Sequence, residues 1–257
     1  MPPDFTGARV LVTGGNMGLG AGVARAFLDA GAMLTIAGIE PDVAETAAQW
    51  AAEGGRPVTG ITCDIADADD VARLAGEIDA LDVLVNNAGL ERITPIADPS
   101  PQVDATFRRI VEINVIGTFA VTRALLPKLA DGARIVNTAS MWGKTAVADF
   151  SAYCASKHAV IGLTRSLAQE LSHRRISVNA VCPGWVRTDA SMRSLAAMSA
   201  RTGRAEDDLL AEITGAQALP GLMEPADMAD IYLFLASEAA RNITGQAYTV
   251  DRGELMQ

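Results

Sequence analysis

The sequence predicts a doubly wound α/β fold, a parallel sheet of about seven strands with helices on both faces. Three observations predict it. Short β-branched and aliphatic runs alternate with longer Ala/Leu-rich stretches along the whole chain. Most of the short runs are apolar on both faces, as strands sandwiched between helix layers require. A glycine-rich turn joins the first short run to the first helical stretch, where an open parallel sheet places a ligand-binding turn.

In chain order, the strand-like runs are Val10–Thr13, Met33–Ala37, Val58–Thr62, Leu81–Val85, Arg134–Thr138, Ile176–Val181 and Ala247–Val250. The helical stretches between them fall near 19–30, 41–53, 67–79, 103–129, 151–172 and 225–238. Pro41 and Pro225 sit at or just before helix starts, where a missing N–H costs nothing, and Gly31, Gly54 and Gly132 follow expected helix ends. One stretch breaks the alternation: residues 188–223, rich in Ala, Ser, Met, Leu and Arg, read as helical with no strand. Lying past the carboxyl end of the sixth strand, this segment is expected to cover substrate, with a packing or subunit-contact helix pair as the alternative. No repeat, low-complexity tract or linker divides the chain, so residues 1–257 are expected to form one domain.

The chain has 257 residues, of which 49% are hydrophobic, 20% charged and 5% aromatic. A domain of this size buries roughly 70–75% of its extended-chain surface and needs no disulfide or metal staple. The net charge of −10, with no Lys/Arg run, speaks against nucleic acid and against anionic lipid. Cys63, Cys154 and Cys182 form no C-x-x-C pair, and with only His158 and His173 beside them no metal site is expected. Reduced thiols and a start that lacks a basic leader point to the cytoplasm. No uninterrupted apolar run reaches ~18 residues, so no membrane span is expected.

Thr13-Gly14-Gly15-Asn16-Met17-Gly18-Leu19-Gly20 follows the first strand and opens a helix. Glycines there let the backbone approach a pyrophosphate and set it on the free N–H groups of the helix start. Gly143-Lys144-Thr145 hints at a different phosphate loop, but Thr138 stands where the first glycine of that motif belongs. Two further residues are informative by position. Tyr153 and Lys157 are four apart on a helix and share a face, so the ammonium can favour phenolate and lower the phenol from its usual ~10. Ser140, at the end of the fifth strand, can offer its hydroxyl to a substrate oxygen. Cys154 points about 100° away from Tyr153 and reads as packing.

The pattern T-G-x-x-x-G-x-G resembles the short-chain dehydrogenase/reductase family, and an ordered set of further matches covers nearly the whole chain. Asn86-Asn87-Ala88-Gly89 follows the fourth strand, Ser140 precedes Tyr153 by thirteen residues, Tyr153 and Lys157 form Y-x-x-x-K, and Pro183-Gly184 follows the sixth strand. The resemblance implies a Rossmann-like fold and a catalytic set of Asn114, Ser140, Tyr153 and Lys157, with Asn114 holding a water in a proton relay to the lysine. It implies cofactor contacts at Gly14, Asn16, Met17, Gly18, Leu19 and Gly20, at Asp64 and Ile65, at Asn87, Ala88 and Gly89, at Tyr153 and Lys157, and at Pro183, Gly184, Val186 and Thr188. Asn86 is similar to a residue that braces the central sheet. Read from the residues alone, Asp64 is an N-cap for the following helix and Asn114 a buried helix amide. The resemblance also implies a homotetramer; Val250-Asp251-Arg252-Gly253 departs from the family's usual Asp-Gly-Gly at an end placed near an interface.

Cofactor choice turns on the end of the second strand. A ribose 2′-hydroxyl wants a carboxylate and a 2′-phosphate wants a cation. Met17, Gly38 and Ile39 leave no basic candidate, while Glu40 can accept from the ribose and Asp42 repels a phosphate, so NAD is expected over NADP. The expected activity is interconversion of a secondary alcohol and a ketone on a small molecule. An NADP-dependent ketone reductase and a non-catalytic nucleotide sensor are the alternatives, the latter opposed by the intact Tyr/Ser/Lys set. A sugar-nucleotide epimerase would need a different glycine spacing and a larger carboxyl-terminal domain. Glu91, Arg92, Trp142, Trp185, Met192 and Arg193 are candidate substrate walls, and the acidic balance disfavours an acyl-carrier substrate.

Overall fold

The computed structural model describes residues 3–256; Met1, Pro2 and Gln257, at the ends of the expected domain and leader-free start, lie outside the described residues. Seven strands, β1 (Arg9–Thr13), β2 (Met33–Gly38), β3 (Val58–Thr62), β4 (Leu81–Asn86), β5 (Leu129–Thr138), β6 (Ser177–Pro183) and β7 (Ala247–Val250), form one parallel sheet in the order β3-β2-β1-β4-β5-β6-β7. The order reverses between β1 and β4, so the loops leaving their carboxyl ends diverge and open a crevice.

Side chains alternate between two cores. Val10 and Val12 of β1, Val83 and Val85 of β4 and Val136 of β5 face α1 (Gly18–Asp29), α2 (Val43–Gly54) and α9 (Ala229–Ala236) through Phe27, Val43 and Tyr232. Leu11, Leu84 and Ile135, one residue out of step, face α3 (Ala68–Glu77), α5 (Thr118–Leu125) and α6 (Ser151–Glu170) through Leu74, Leu125 and Leu167. The doubly apolar strand sequences follow directly from this two-sided cover.

The expected helix at 103–129 is an α-helix, α4 (Pro101–Val111), a π turn over Glu112–Gly117, α5, and a 3-10 turn over Leu126–Lys128. Strand β5 then begins at Leu129, five residues before the expected Arg134. Pairing advances by two residues on β4, from Leu81 to Val83, but by five on β5, from Leu129 to Arg134, so the extra residues form a bulge. Gly132, expected after a helix end, lies inside that bulge at φ 82°. At α2 the left-handed C-cap is Gly55 rather than Gly54, which is the helix's last residue. By length and composition the run Pro101–Lys128 is apolar enough to cross a membrane, with mean hydropathy 1.4 over its best window, contrary to the sequence reading. In the fold it buries Ile110, Val121 and Leu125 within the domain core.

The 188–223 stretch holds α7 (Asp189–Thr202) and α8 (Glu206–Gly215). Gly203 ends α7 in the left-handed conformation at φ 71°, which makes it a terminator. Just outside the two helices Val186 forms a parallel bridge with Met223, and Arg187 N–H donates to the Met223 carbonyl at 2.7 Å. The segment therefore leaves and rejoins the body at one point.

Candidate active site

The crevice is stitched together by Thr13 and Asn87. The Thr13 hydroxyl accepts from the Asn87 and Ala88 N–H groups at 3.0 and 3.1 Å, and Asn87 Nδ2 donates to the Thr13 and Gly14 carbonyls at 3.2 Å. Gly14 turns at φ 63° and Gly18 at φ 52°. A Cβ on Gly20 would lie 2.0 Å from the Gly14 carbonyl oxygen and 2.4 Å from Asn87 Nδ2, so only glycine fits. Helix α1 starts at Gly18 with Met17 as N-cap and no side-chain cap bond. Its first N–H groups are thus left for an anion, and this uncapped start over a glycine cradle fits a pyrophosphate.

At the end of β2, the Asn16 amide fills the space above Gly38. Its Oδ1 would stand 2.4 Å from a Cβ there and is buried without a partner, while Nδ2 donates to Asp42 at 3.4 Å. This contact, joining residues far apart in sequence, explains why position 38 is a glycine. Met17 and Ile39 are exposed and apolar, and Glu40 is half-buried beside them. Asp64 accepts from Ala66 N–H at 2.9 Å and pairs with Arg109 at 2.6 Å, but does not cap α3. That role falls to Asp67, which accepts from the Asp69 and Asp70 N–H groups at 2.9 and 3.0 Å. The Ile65 side chain packs against Gly117, which leaves only its backbone facing outward chemistry.

Asn86 donates to Thr122 at 3.0 Å and Asn137 at 2.9 Å, and Asn137 donates on to Thr164 at 2.9 Å, a chain of amides that ties β4 and β5 to α5 and α6. Asn114 lies in the π turn. Its Oδ1 accepts from Leu90 N–H at 2.7 Å, and its Nδ2 donates to the Leu90 carbonyl and the Ser156 hydroxyl, both at 2.9 Å. The side-chain donors are therefore fully used, while the main-chain carbonyl accepts the Thr118 hydroxyl at 2.9 Å. Gly89 sits between Asn114 and Lys157: a Cβ there would be 3.2 Å from Asn114 Oδ1 and 3.5 Å from Lys157 Nζ.

Tyr153 and Lys157 both project from α6 toward the end of β5. Lys157 Nζ donates to the Thr138 carbonyl at 2.7 Å and lies 5.6 Å from the Tyr153 ring centroid. Burial pushes the Lys157 ammonium down to about 8. The Tyr153 phenol moves the opposite way from the sequence expectation. Burial raises it first and the Glu91 carboxylate adds to the rise, with the Ser140 hydroxyl opposing; within the protein the lysine does not outweigh them. Ser140 also caps a 3-10 turn by accepting from Trp142 N–H at 3.2 Å, which leaves its proton free to donate. Cys154 is buried in packing, and burial raises the Cys63 and Cys182 thiols to about 11, far from a nucleophilic range.

A cavity of about 50 Å³ opens beside the phenol, walled by Glu91, Ser140, Trp142, Tyr153, Gly184 and Trp185. Trp142 meets Tyr153 and Trp185 edge to face at 6.1 and 5.8 Å. Of the candidate walls, Arg92, Met192 and Arg193 do not line it; both arginines are exposed and Met192 joins the apolar cluster of α7 and α8. Pro183 ends β6, Gly184 packs on Asp251, and Thr188 caps α7 with its methyl 3.5 Å from where a Gly18 Cβ would be. A larger cavity of about 500 Å³ opens near Phe5, Asp82 and Arg134 and holds none of these groups. The sequence reading missed Ser156, whose bond to Asn114 spans 42 residues, and the motifs that contain Thr13 and Asn87 do not announce that these two bind each other.

A doubly wound sheet with a glycine cradle at its switch point is the arrangement of the dinucleotide-binding proteins. A family model described as enoyl-(acyl carrier protein) reductase matches residues 14–254. The chain belongs to the short-chain dehydrogenase/reductase family. It is 36% identical to oxidoreductase UcpA of Escherichia coli K12, over 98% of this chain and 96% of the relative. It is 33% identical to the D-beta-hydroxybutyrate dehydrogenase of Cupriavidus necator, over 98% of this chain and 100% of that one. Among solved structures, a putative NAD(P)-dependent gluconate 5-dehydrogenase from Beutenbergia cavernae, with bound NADP at low occupancy, superposes with TM-score 0.86 at 35% identity over 99% of both chains. The protein is an enzyme of this family, an oxidoreductase with a nucleotide cofactor and a hydroxyl or ketone substrate.

Proposed function

We propose that the enzyme interconverts a secondary alcohol and a ketone with NAD, using Tyr153 as acid/base. The observation that carries this reading is the Lys157 ammonium held against the Tyr153 ring and the Thr138 carbonyl, with Tyr153 itself sharing a cavity wall with Ser140. When bound, the nicotinamide accepts or returns a hydride at C4. In the oxidation direction the substrate hydroxyl passes its proton to the Tyr153 phenolate oxygen as the carbonyl forms, and Ser140 donates to the developing carbonyl oxygen. Lys157 holds positive charge beside the phenolate, and the Asn114 carbonyl holds a water that returns the proton to solvent. Gly14, Asn16, Gly18, Leu19 and Gly20 hold the pyrophosphate, Asp64 and Ile65 the adenine, and Asn87, Ala88, Gly89, Pro183, Gly184, Val186 and Thr188 the nicotinamide half. An NAD-coupled screen over secondary alcohols, polyols and sugar acids tests the reading; no reduction of NAD or NADP by any of them would refute it.

NAD is favoured because Met17, Gly38 and Ile39 present no cation and Glu40 and Asp42 present two carboxylates to a 2′-phosphate. The bound NADP in the gluconate 5-dehydrogenase-like structure supports the NADP-dependent reductase as a second reading. Wild-type kcat/KM is expected to favour NAD by tenfold or more, on the order of a lost ion pair, and Glu40→Arg to narrow or invert the ratio. A wild type that prefers NADP overturns the assignment.

Residues 188–223 are proposed to close over substrate. Only Leu195 and Leu209 of the two helices' apolar face are well buried, while Met192, Met198, Leu210 and Ile213 stay partly covered against Trp142 and Trp185. Amides of α7 and α8 are expected to exchange readily in the free enzyme and to gain protection with cofactor and substrate. High protection without ligands, unchanged by them, would assign the segment to packing. The family resemblance implies a homotetramer, and exposed Phe107, Ile116 and Phe119 on the α4–α5 run support a subunit contact there; the cytoplasmic location rests on the unpaired thiols.

A further inference from the structure

We infer that the pocket takes an uncharged polyhydroxy substrate, a polyol or its ketose, whose second hydroxyl next to the reacting carbinol is read by Glu91. The inference rests on the dehydrogenase reading above. Glu91 lines the cavity together with Tyr153 and Ser140, so a substrate held at Tyr153 shares its pocket with this carboxyl. It is the only carboxylate on that wall, and among the described residues no arginine or lysine lines the cavity. A hydroxy acid would bring a second carboxylate beside Glu91 and find no guanidinium to pair with. Arg92, next in sequence, is exposed and turns its guanidinium onto the Glu91 carbonyl at 2.7 Å.

An ionised carboxylate only accepts, so its partner must be a donor. Of the two common donors on small substrates, an ammonium is disfavoured because the buried Lys157 ammonium already stands behind Tyr153, 5.6 Å from its ring centroid. A hydroxyl carries no such penalty. Trp142 and Trp185, set edge to face across the cavity, give the carbon skeleton apolar walls without adding a cation. Burial raises the Glu91 carboxyl, and the nearby Ser194 hydroxyl and the surrounding cations only partly oppose the rise, so a neutral hydroxyl, which both donates and accepts, suits this group better than a charged one.

The test compares kcat/KM of the NAD-supplied enzyme for a hexitol, a simple secondary monoalcohol, 3-hydroxybutyrate and an amino alcohol of similar size. The expected order puts the hexitol first, by about tenfold or more over the hydroxy acid, the scale of one hydrogen bond to a charged group. Glu91→Leu is expected to cut the hexitol-to-monoalcohol ratio by about tenfold. Glu91→Gln, which keeps size and one acceptor, is expected to raise the ratio of hydroxy acid to hexitol. Quenching of Trp142 and Trp185 fluorescence by the hexitol should weaken in the same variants, a readout independent of turnover. A wild type that prefers 3-hydroxybutyrate or the amino alcohol, or a hexitol-to-monoalcohol ratio unmoved in both variants, overturns the inference. Turnover of none of the four with either cofactor would instead overturn the dehydrogenase reading beneath it.

Discussion

Tyr153→Phe is expected to lower kcat by about three orders of magnitude while the fold and the Kd for NAD stay as in the wild type. The phenyl ring keeps its edge-to-face contact with Trp142 and its place under the Lys157 ammonium, so only the proton-carrying oxygen is lost. Retention of more than about a tenth of wild-type kcat would end the acid/base assignment. The pH dependence has a definite sign. Alcohol oxidation needs the phenol deprotonated, and burial together with the Glu91 charge pushes its ionisation upward, so the oxidation rate should rise with pH. Lys157→Met removes a charge that favours phenolate and should move the rise to higher pH, whereas Glu91→Gln removes one that opposes it and should move the rise lower. Profiles that coincide in all three proteins would refute the coupling.

Gly20→Ala is expected to weaken NAD binding about 100-fold, or ~2.7 kcal/mol, measured by calorimetry beside an unchanged far-ultraviolet spectrum. The added methyl would stand 2.0 Å from the Gly14 carbonyl oxygen, a backbone atom, and 2.4 Å from Asn87 Nδ2, which ties the loop to β4. Neither neighbour can rotate away, so the turn itself must open and the N–H groups at the start of α1 lose their aim. An affinity within threefold of wild type, on the order of normal mutational scatter, would show that the cradle is not where the pyrophosphate rests.

The inner strands were legible because they are covered on both sides and largely apolar, whereas the edge strands β3 and β7, partly exposed, are marked by β-branched residues alone. The ends of elements were legible only where a single residue decides them. At β5 the strand starts early because a bulge around Gly132 absorbs extra residues, and a bulge leaves no periodicity to read. The π turn at Glu112–Gly117 is silent in sequence for a related reason, since its cause is the reach of the Asn114 amide to Leu90 on another loop. Asp64 reads as the cap of the helix after β3, but α3 begins at Ala68 and its cap is Asp67, because the chain runs three residues further before the helix starts. The Tyr153–Lys157 pairing was legible from helical spacing alone, but the sign of the Tyr153 shift was not. That sign is set first by the burial of the phenol, which spacing does not reveal, with Glu91, a loop residue beyond β4, adding to it.

The bridge between Val186 and Met223 gives the two helices between them a common root, while Arg201 pairing with Asp149 and Leu219 N–H donating to the Arg252 carbonyl add ties beyond it. Entry and exit are neighbours, so lengthening, trimming or replacing what hangs there changes no strand register, and closure entropy grows only with the logarithm of the loop's length. Lineages can therefore trade this cassette almost freely, keeping the nucleotide half and its proton chemistry while new roofs bring new appetites. In the laboratory, the same root marks where a graft from another family member should be cut.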